Sequence, residues 1–363
     1  MLGLREQAVL AAPHTLAWGG LIIGAVFGAL LERTRFCAMG ALSDVVAFGD
    51  RRRLRAWLLA SAVAIVGAQA LQAGAVVDLG LSMYLAPRLN WLGNILGGLL
   101  FGIGMVFAGG CASRNLVRLG GGDLRAAVVL TVMAVFAYMT LGGILGPLRA
   151  ALESSTAITL PEDTRQSLPA LLVLVSGLSS TAASWLVTAM LAGGLLIYCL
   201  VDEDFRRTPS LIAGGVGVGL CVTAAWALTG LAYDEFAPLP QAPQALSFVR
   251  PSGDTLEYLE RFTAGAVPGF GVGTVLGAVL GGWLAAVTAG RFKLLGFADS
   301  PDTVRNLAGA ALMGIGGVVA MGCSIGQSVS GVSTLALGSL LAALSLIAGG
   351  WLGLRLLERS LSM

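Results

Sequence analysis

Charged side chains are scarce in this sequence. Asp, Glu, Lys and Arg together make up 12% of its 363 residues, about half the share found in an ordinary soluble domain. With 56% hydrophobic residues and a mean hydropathy of +0.85, both a water-soluble globule and a disordered chain are excluded. The 52 glycines follow no collagen period. A net charge of only +2, with the basic residues confined to short loops, excludes a nucleic-acid surface. Histidine occurs once, as His14, at the entrance to the first apolar run, and no role is assigned to it. The five cysteines form no CxxC, CxxxC or Cys/His pairing, which argues against zinc, iron–sulfur and thiol–disulfide oxidoreductase chemistry. No catalytic, cofactor or metal residue is assigned, and no enzyme is expected. Nor does Asp or Glu interrupt the long apolar runs, so the carboxylate relay of proton-coupled carriers is missing.

What remains is a series of apolar runs, at about 7–31, 56–77, 89–113, 126–148, 166–201, 208–233, 262–290 and 306–354. Crossing a bilayer takes roughly 20 residues, and the last run is long enough for two spans. The expectation is an all-α integral membrane protein with about nine transmembrane helices, forming one membrane domain over 1–363. A cleaved signal peptide at the first run is the competing reading, but that run ends in charged residues rather than a small-residue cleavage site. Gly20, Gly24 and Gly28 would let a neighbouring helix approach closely. Phe36–Gly49 is too short to span, and the part of 166–201 before Gly177 reads as a half-helix. Residues 149–165 and 234–261 carry Pro, Ser and acidic side chains and read as solvated outer caps.

One unit occurs twice. Residues 94–111, NILGGLLFGIGMVFAGGC, and 306–323, NLAGAALMGIGGVVAMGC, align without a gap and match at ten of eighteen positions. The likeness of Gly24–Gly28 to Gly273–Gly277 is weaker and is taken as recurrent tight packing. Most of the 22 Lys and Arg fall on one side if the N-terminus is outside, which predicts an N-out, C-in arrangement. The span ending at Cys111 then runs inward and that ending at Cys323 outward, an inverted pseudo-two-fold repeat with halves 1–165 and 166–363. If 112–119 and 324–330 fold back as re-entrant half-helices, both cysteines are drawn towards the middle, and helix N-termini point at the path. Ser113, Asn115, Ser324 and Gln327 add neutral hydrogen-bonding partners, and a small anion is the expected solute. Cys199 and Cys221 read as small buried hydrophobes.

The motifs RFCAMGA (35–41), AGGCASRN (108–115) and MGCSIGQ (321–327) resemble those of the YeeE/YedE family of bacterial sulfur transporters, whose best understood members take up thiosulfate. The resemblance implies an hourglass-shaped protein of the bacterial cytoplasmic (inner) membrane, with three cysteines along its waist matching Cys37, Cys111 and Cys323. It also implies a cytoplasmic TusA-type sulfurtransferase as partner. The chemistry agrees. In apolar surroundings a thiol stays neutral and offers a weak S–H donor that does not repel an anion, and several weak sites in series let the ion leave as readily as it enters. Thiosulfate, with a soft charged terminal sulfur, suits such donors better than sulfate. Two alternatives stay open. A copper(I) transporter could use Met39, Met105 and Met321 beside the cysteines. A membrane sulfurtransferase could carry sulfur as a cysteine persulfide, with Cys111 near Arg114 and Arg118 as its nucleophile.

Overall fold

A computed structural model describes residues 12–161, 164–237, 240–264, 267–297 and 300–361. The first five residues of the expected first run, 7–11, lie outside them. In chain order the main helices are α1 (Ala12–Thr34), α2 (Ala38–Phe48), α3 (Arg52–Ala73), α4 (Trp91–Phe107), α5 (Ala112–Gly120), α6 (Leu124–Leu141) and α7 (Gly146–Thr156). They are followed by α8 (Leu168–Ser176), α9 (Ser180–Leu200), α10 (Pro209–Leu231), α11 (Val249–Glu260), α12 (Phe270–Thr288), α13 (Ser300–Val319) and α14 (Leu337–Leu361). Strand content among the described residues is a two-residue antiparallel pair, Arg88–Leu89 with Ile158–Thr159.

Eight of these segments are long and apolar enough to cross a membrane, and the chain is an all-α multi-pass membrane protein. The twenty-residue α13 is less apolar, because its first turns carry Asp302 and Arg305. Several local features were legible in advance. Helix α8 is short, starts at a Ser167 cap and stops at Gly177, whose φ of 68° ends it, just before α9. Helix α2 is likewise short and ends at Gly49 with φ 67°. The 126–148 run differs. Its helix stops at Leu141, where Gly142 and Gly143 interrupt it, and α7 is a separate helix.

Glycines set the helix spacing. In a bilayer, association is driven by van der Waals contact rather than by burial of apolar surface, so small residues allow the closest packing. Gly20, Gly24 and Gly28 of α1 lie against the carbonyls of Phe270, Thr274 and Ala278, while Gly273, Gly277 and Gly281 of α12 lie against those of Ala17, Leu21 and Ala25. The likeness between the two GxxxG stretches is thus a packing feature: they are partners. The repeated unit behaves differently. A Cβ on Gly97 would sit 2.7 Å from the Gly316 carbonyl oxygen and one on Gly316 2.7 Å from that of Gly97; Gly104 and Gly309 are related in the same way. Gly97 aligns with Gly309 and Gly104 with Gly316, so α4 and α13 cross antiparallel through reciprocal contacts, as two copies running in opposite directions require. Around this crossing α14 packs on α4 and α6 on α13, while α10 packs on α3.

The expectation of solvated caps at 234–261 needs correction. Ala245, Leu246, Phe248, Val249, Pro251, Ser252 and Thr255 are buried, and Phe248 stacks on Phe27 of α1 at 5.0 Å. The apolar stretch around Leu246 and Phe248 draws the segment into the interior, and α11 packs against α6 and α12.

Candidate functional site

All three motif cysteines share one local construction. Each follows a long helix, stands two residues after a residue with positive φ, and opens a short helical segment. The positive-φ residues are Arg35 (54°) before Cys37, Gly109 (67°) before Cys111 and Met321 (61°) before Cys323. The two repeat copies agree to the hydrogen bond. Gly110 N–H donates to Met105 O at 2.8 Å, and its counterpart Gly322 N–H donates to Gly317 O at 2.7 Å, the six-to-one bond that closes a helix end. Each copy then breaks into its cysteine and a new helix, α5 in the first. The second enters a helical segment over 324–333 whose centre, Gly326–Gly331, is π-helical. Non-helical backbone deep in such a protein is tolerated where it is buried or lines a cavity, and π-helical turns often mark functional sites.

The sulfur atoms sit where helix amides are unpaired. Gly40 N–H donates to Cys37 Sγ at 3.4 Å and Gly326 N–H to Cys323 Sγ at 3.3 Å. Cys111 Sγ instead contacts Ser113 Oγ at 3.3 Å. Segments remote in sequence bring the three together. The side chains of Cys37 and Cys111 adjoin, Ser324 also faces Cys111, and Cys323 lies within electrostatic reach of Cys111. Cys111 and Cys323 are 1% and 0% exposed, while Cys37 is partly open.

The remaining candidates divide by role. Ser324 Oγ is buried and finds no hydrogen-bond partner in the protein. Asn115 is committed, because its Nδ2 donates to Gly110 O at 2.9 Å and Cys111 O at 3.2 Å, and its Oδ1 accepts from Arg118. Gln327, its counterpart, donates through Nε2 to Ala320 O, but its buried Oε1 is unpartnered. Asn115 and Gln327 therefore clamp the two broken turns. Cys199 and Cys221 are buried away from the motif cysteines, with Cys199 Sγ donating to Arg55 O at 3.2 Å.

Two residues escaped the sequence reading. Ser247 Oγ approaches Cys323 Sγ at 3.9 Å, and Tyr84 lies within electrostatic reach of the same sulfur. Both line a cavity of about 670 Å³ whose wall also holds Arg250, Asp254, Tyr258 and Arg261. A lone serine in the apolar stretch 245–249 is the signal that could have pointed to Ser247. Beyond Cys37, Arg53 pairs with Asp44 at 3.3 Å and Arg114 with Glu32 at 3.5 Å. Asp123 is held by Arg118 at 2.7 Å and Arg125 at 2.9 Å. Burial opposes charge on Asp123, but the hydrogen bonds from Arg125 and Arg118 outweigh it and keep its carboxyl below the usual carboxylate range.

Known proteins place this architecture. The chain is 28% identical over 344 residues to the thiosulfate transporter TsuA of Spirochaeta thermophila, covering 93% of this chain and 97% of that one. It is 29% identical over 328 residues to the thiosulfate transporter TsuA of Escherichia coli, covering 85% and 86%. A shorter stretch of 120 residues is 33% identical to the probable transporter YedE of Salmonella typhimurium, 32% of this chain and 28% of that one. The family described as Sulphur transport matches residues 33–352, and with its cysteine-ended helix breaks at the matching motifs this chain belongs to that family of transporters.

Proposed function

We propose that this protein takes up thiosulfate, or a closely related small sulfur-containing anion, along a path lined by Cys323, Cys111 and Cys37. The observation that carries this reading is the convergence of three cysteines, from three separate broken helices, into one buried row. The cavity by Ser247 and Tyr84 leads to Cys323, and the arginine-rich surface by Arg53 and Arg114 lies beyond Cys37. Where a thiol sulfur accepts a helix amide, as at Cys37 and Cys323, its S–H is free to donate to the soft sulfur of the ion. Ser113 and Ser324 face the same space and would meet its oxygens, while Asn115 and Gln327 hold the turns. The anion favours this chemistry over copper(I), since arginines crowd the Cys37 end and no group of His, Cys, Asp or Glu suited to a metal occurs among the described residues.

Within this reading the chain lies N-out, C-in in the bacterial inner membrane, as two inverted halves, 1–165 and 166–363. Transported sulfur is handed on to a cytoplasmic TusA-type sulfurtransferase. Uptake of radiolabelled thiosulfate into vesicles tests the path. Cys111→Ala and Cys323→Ala should each reduce uptake to background with membrane insertion intact, whereas Cys199→Ala and Cys221→Ala should match wild type. Wild-type uptake by either of the first two variants would remove the assignment. Serine variants separate relay from covalent transfer: Cys323→Ser should retain more uptake than Cys323→Ala if the thiol only donates a hydrogen bond. Equal loss, with a cysteine heavier by one sulfur atom, would make the protein a persulfide carrier.

A further inference from the structure

The arginines around the cysteine row are not equally committed. Arg118 is locked: it makes two contacts to Asp123 Oδ2, at 3.1 and 2.7 Å, and donates to Gly109 O at 3.1 Å and to Asn115 Oδ1 at 3.3 Å. Arg114, one turn earlier on α5, is held through Glu32 Oε2 at 3.5 Å, beyond the range of a strong charge-assisted bond. Glu32 is itself divided. Its Oε1 lies 3.3 Å from Arg291 Nε, and Arg291 Nη2 donates to the Glu32 carbonyl at 3.2 Å. One carboxylate, 15% exposed, thus serves two guanidiniums from α5 and from the segment after α12. Arg114 is also within electrostatic reach of Cys37, the one motif cysteine that is partly open.

We propose that Arg114, backed by Arg291, forms an anion-binding exit site next to Cys37, and that Glu32 is its built-in competitor, reclaiming the guanidinium to expel the sulfur oxyanion. The inference rests on the transport reading above and adds the step by which the ion leaves. An anion arriving at Cys37 meets a cluster with two positive charges and one negative. The surplus positive charge attracts it, and the loose Arg114–Glu32 pair can open at small cost. A site with arginine alone would hold a dianion too long, whereas one with the carboxylate returning to its partner lets it go. Arg53 and its partner Asp44 stand by Gly40 on the other flank of the same opening.

The test is saturation kinetics of radiolabelled thiosulfate uptake into vesicles. Removing the competitor should tighten binding and slow release together, so Glu32→Gln should lower KM and Vmax each by about three- to tenfold. Arg114→Gln should raise KM several-fold, and Arg114→Lys, which keeps the charge without the fork, should recover part of the loss. A purely structural ion pair predicts otherwise: Glu32→Gln would lose Vmax through lost protein with KM unchanged. That result, or wild-type kinetics in Arg114→Gln, would overturn the exit site. Should Arg114→Gln fail to insert, the Glu32→Gln split decides alone. If the wild-type protein takes up no thiosulfate, the transport reading itself has failed and the exit site falls with it.

Discussion

The segments after Cys111 and after Cys323 occupy matching positions in the two copies, but they have diverged in chemistry. Helix α5 is α-helical and carries Arg114 and Arg118, both tied to acidic partners. Its counterpart 324–333 carries no charge and is π-helical at its centre. Its hydroxyls bond inside the protein: Ser330 to Leu246 O at 2.7 Å and Ser333 to Ser330 O at 2.6 Å, with Ser333 Oγ accepting from Trp226. The shared frame is the glycine crossing and the closed turn; the difference is which solute environment each segment faces. A duplicated scaffold has kept its backbone and exchanged its side chains, so that one end of the row is neutral and the other is ionic.

The premise of equivalence breaks most completely at the crossing. Gly104→Leu or Gly316→Leu places a side chain where a carbonyl of the other copy already stands, and neither should yield a monodisperse protein in detergent. Normal yield from one of them would mean that the reciprocal contact is not required. Next come the clamps. Asn115→Ala strands the Gly110 carbonyl and Gln327→Ala the Ala320 carbonyl, each at a cost of about 1–3 kcal/mol, and both should lower the melting temperature and cut uptake roughly tenfold. A loss in one and not the other would show that the two turns are not doing the same job.

Acid should sharpen the contrast, because only α5 has a titrating partner. The Asp123 carboxyl is held below its unfolded value near 3.9. Its contribution is therefore complete above about pH 4 and fades as pH falls through the lower folded value. Asp123→Asn should lower the melting temperature at pH 7, and the gap to wild type should close below about pH 4. A gap that persists there would assign the loss to packing. The smallest effect compares Gly109 with Met321, which share positive φ. Gly109→Ala should cost about 1–2 kcal/mol for entering that region with a Cβ, whereas Met321→Ala pays no such backbone penalty because a side chain is already present. Equal melting shifts would contradict that reading.

Much of this was legible in the sequence, because the repeated unit, its terminal cysteine and the uncharged runs depend on local pattern. The half-helices at Leu168–Ser176 and Ala38–Phe48 followed from length and flanking residues alone. The nearness of Cys37 to Cys111 was not legible from spacing, since it arises where segments far apart in the chain converge, and only family resemblance suggested it. The burial of 245–255 was hidden by Pro243, Arg250 and Asp254, which give the stretch a solvated appearance; its few apolar residues pack because α1 and α12 leave room beside Phe27. The fixed role of Asn115 was missed too. An amide near a helix start looks available until the carbonyls it must satisfy are known.

The reciprocal crossing of α4 and α13 also constrains how the protein is made. Gly97 and Gly104 find their partners on a helix translated about 200 residues later, which at ribosomal rates is a wait of about 10–40 s. During that interval the first half sits in the bilayer with its glycine groove facing lipid or an insertion factor, and α5 has nothing to close against. Assembly of the waist is therefore a late event, and a chain truncated before Asn306 would be a membrane protein without a centre.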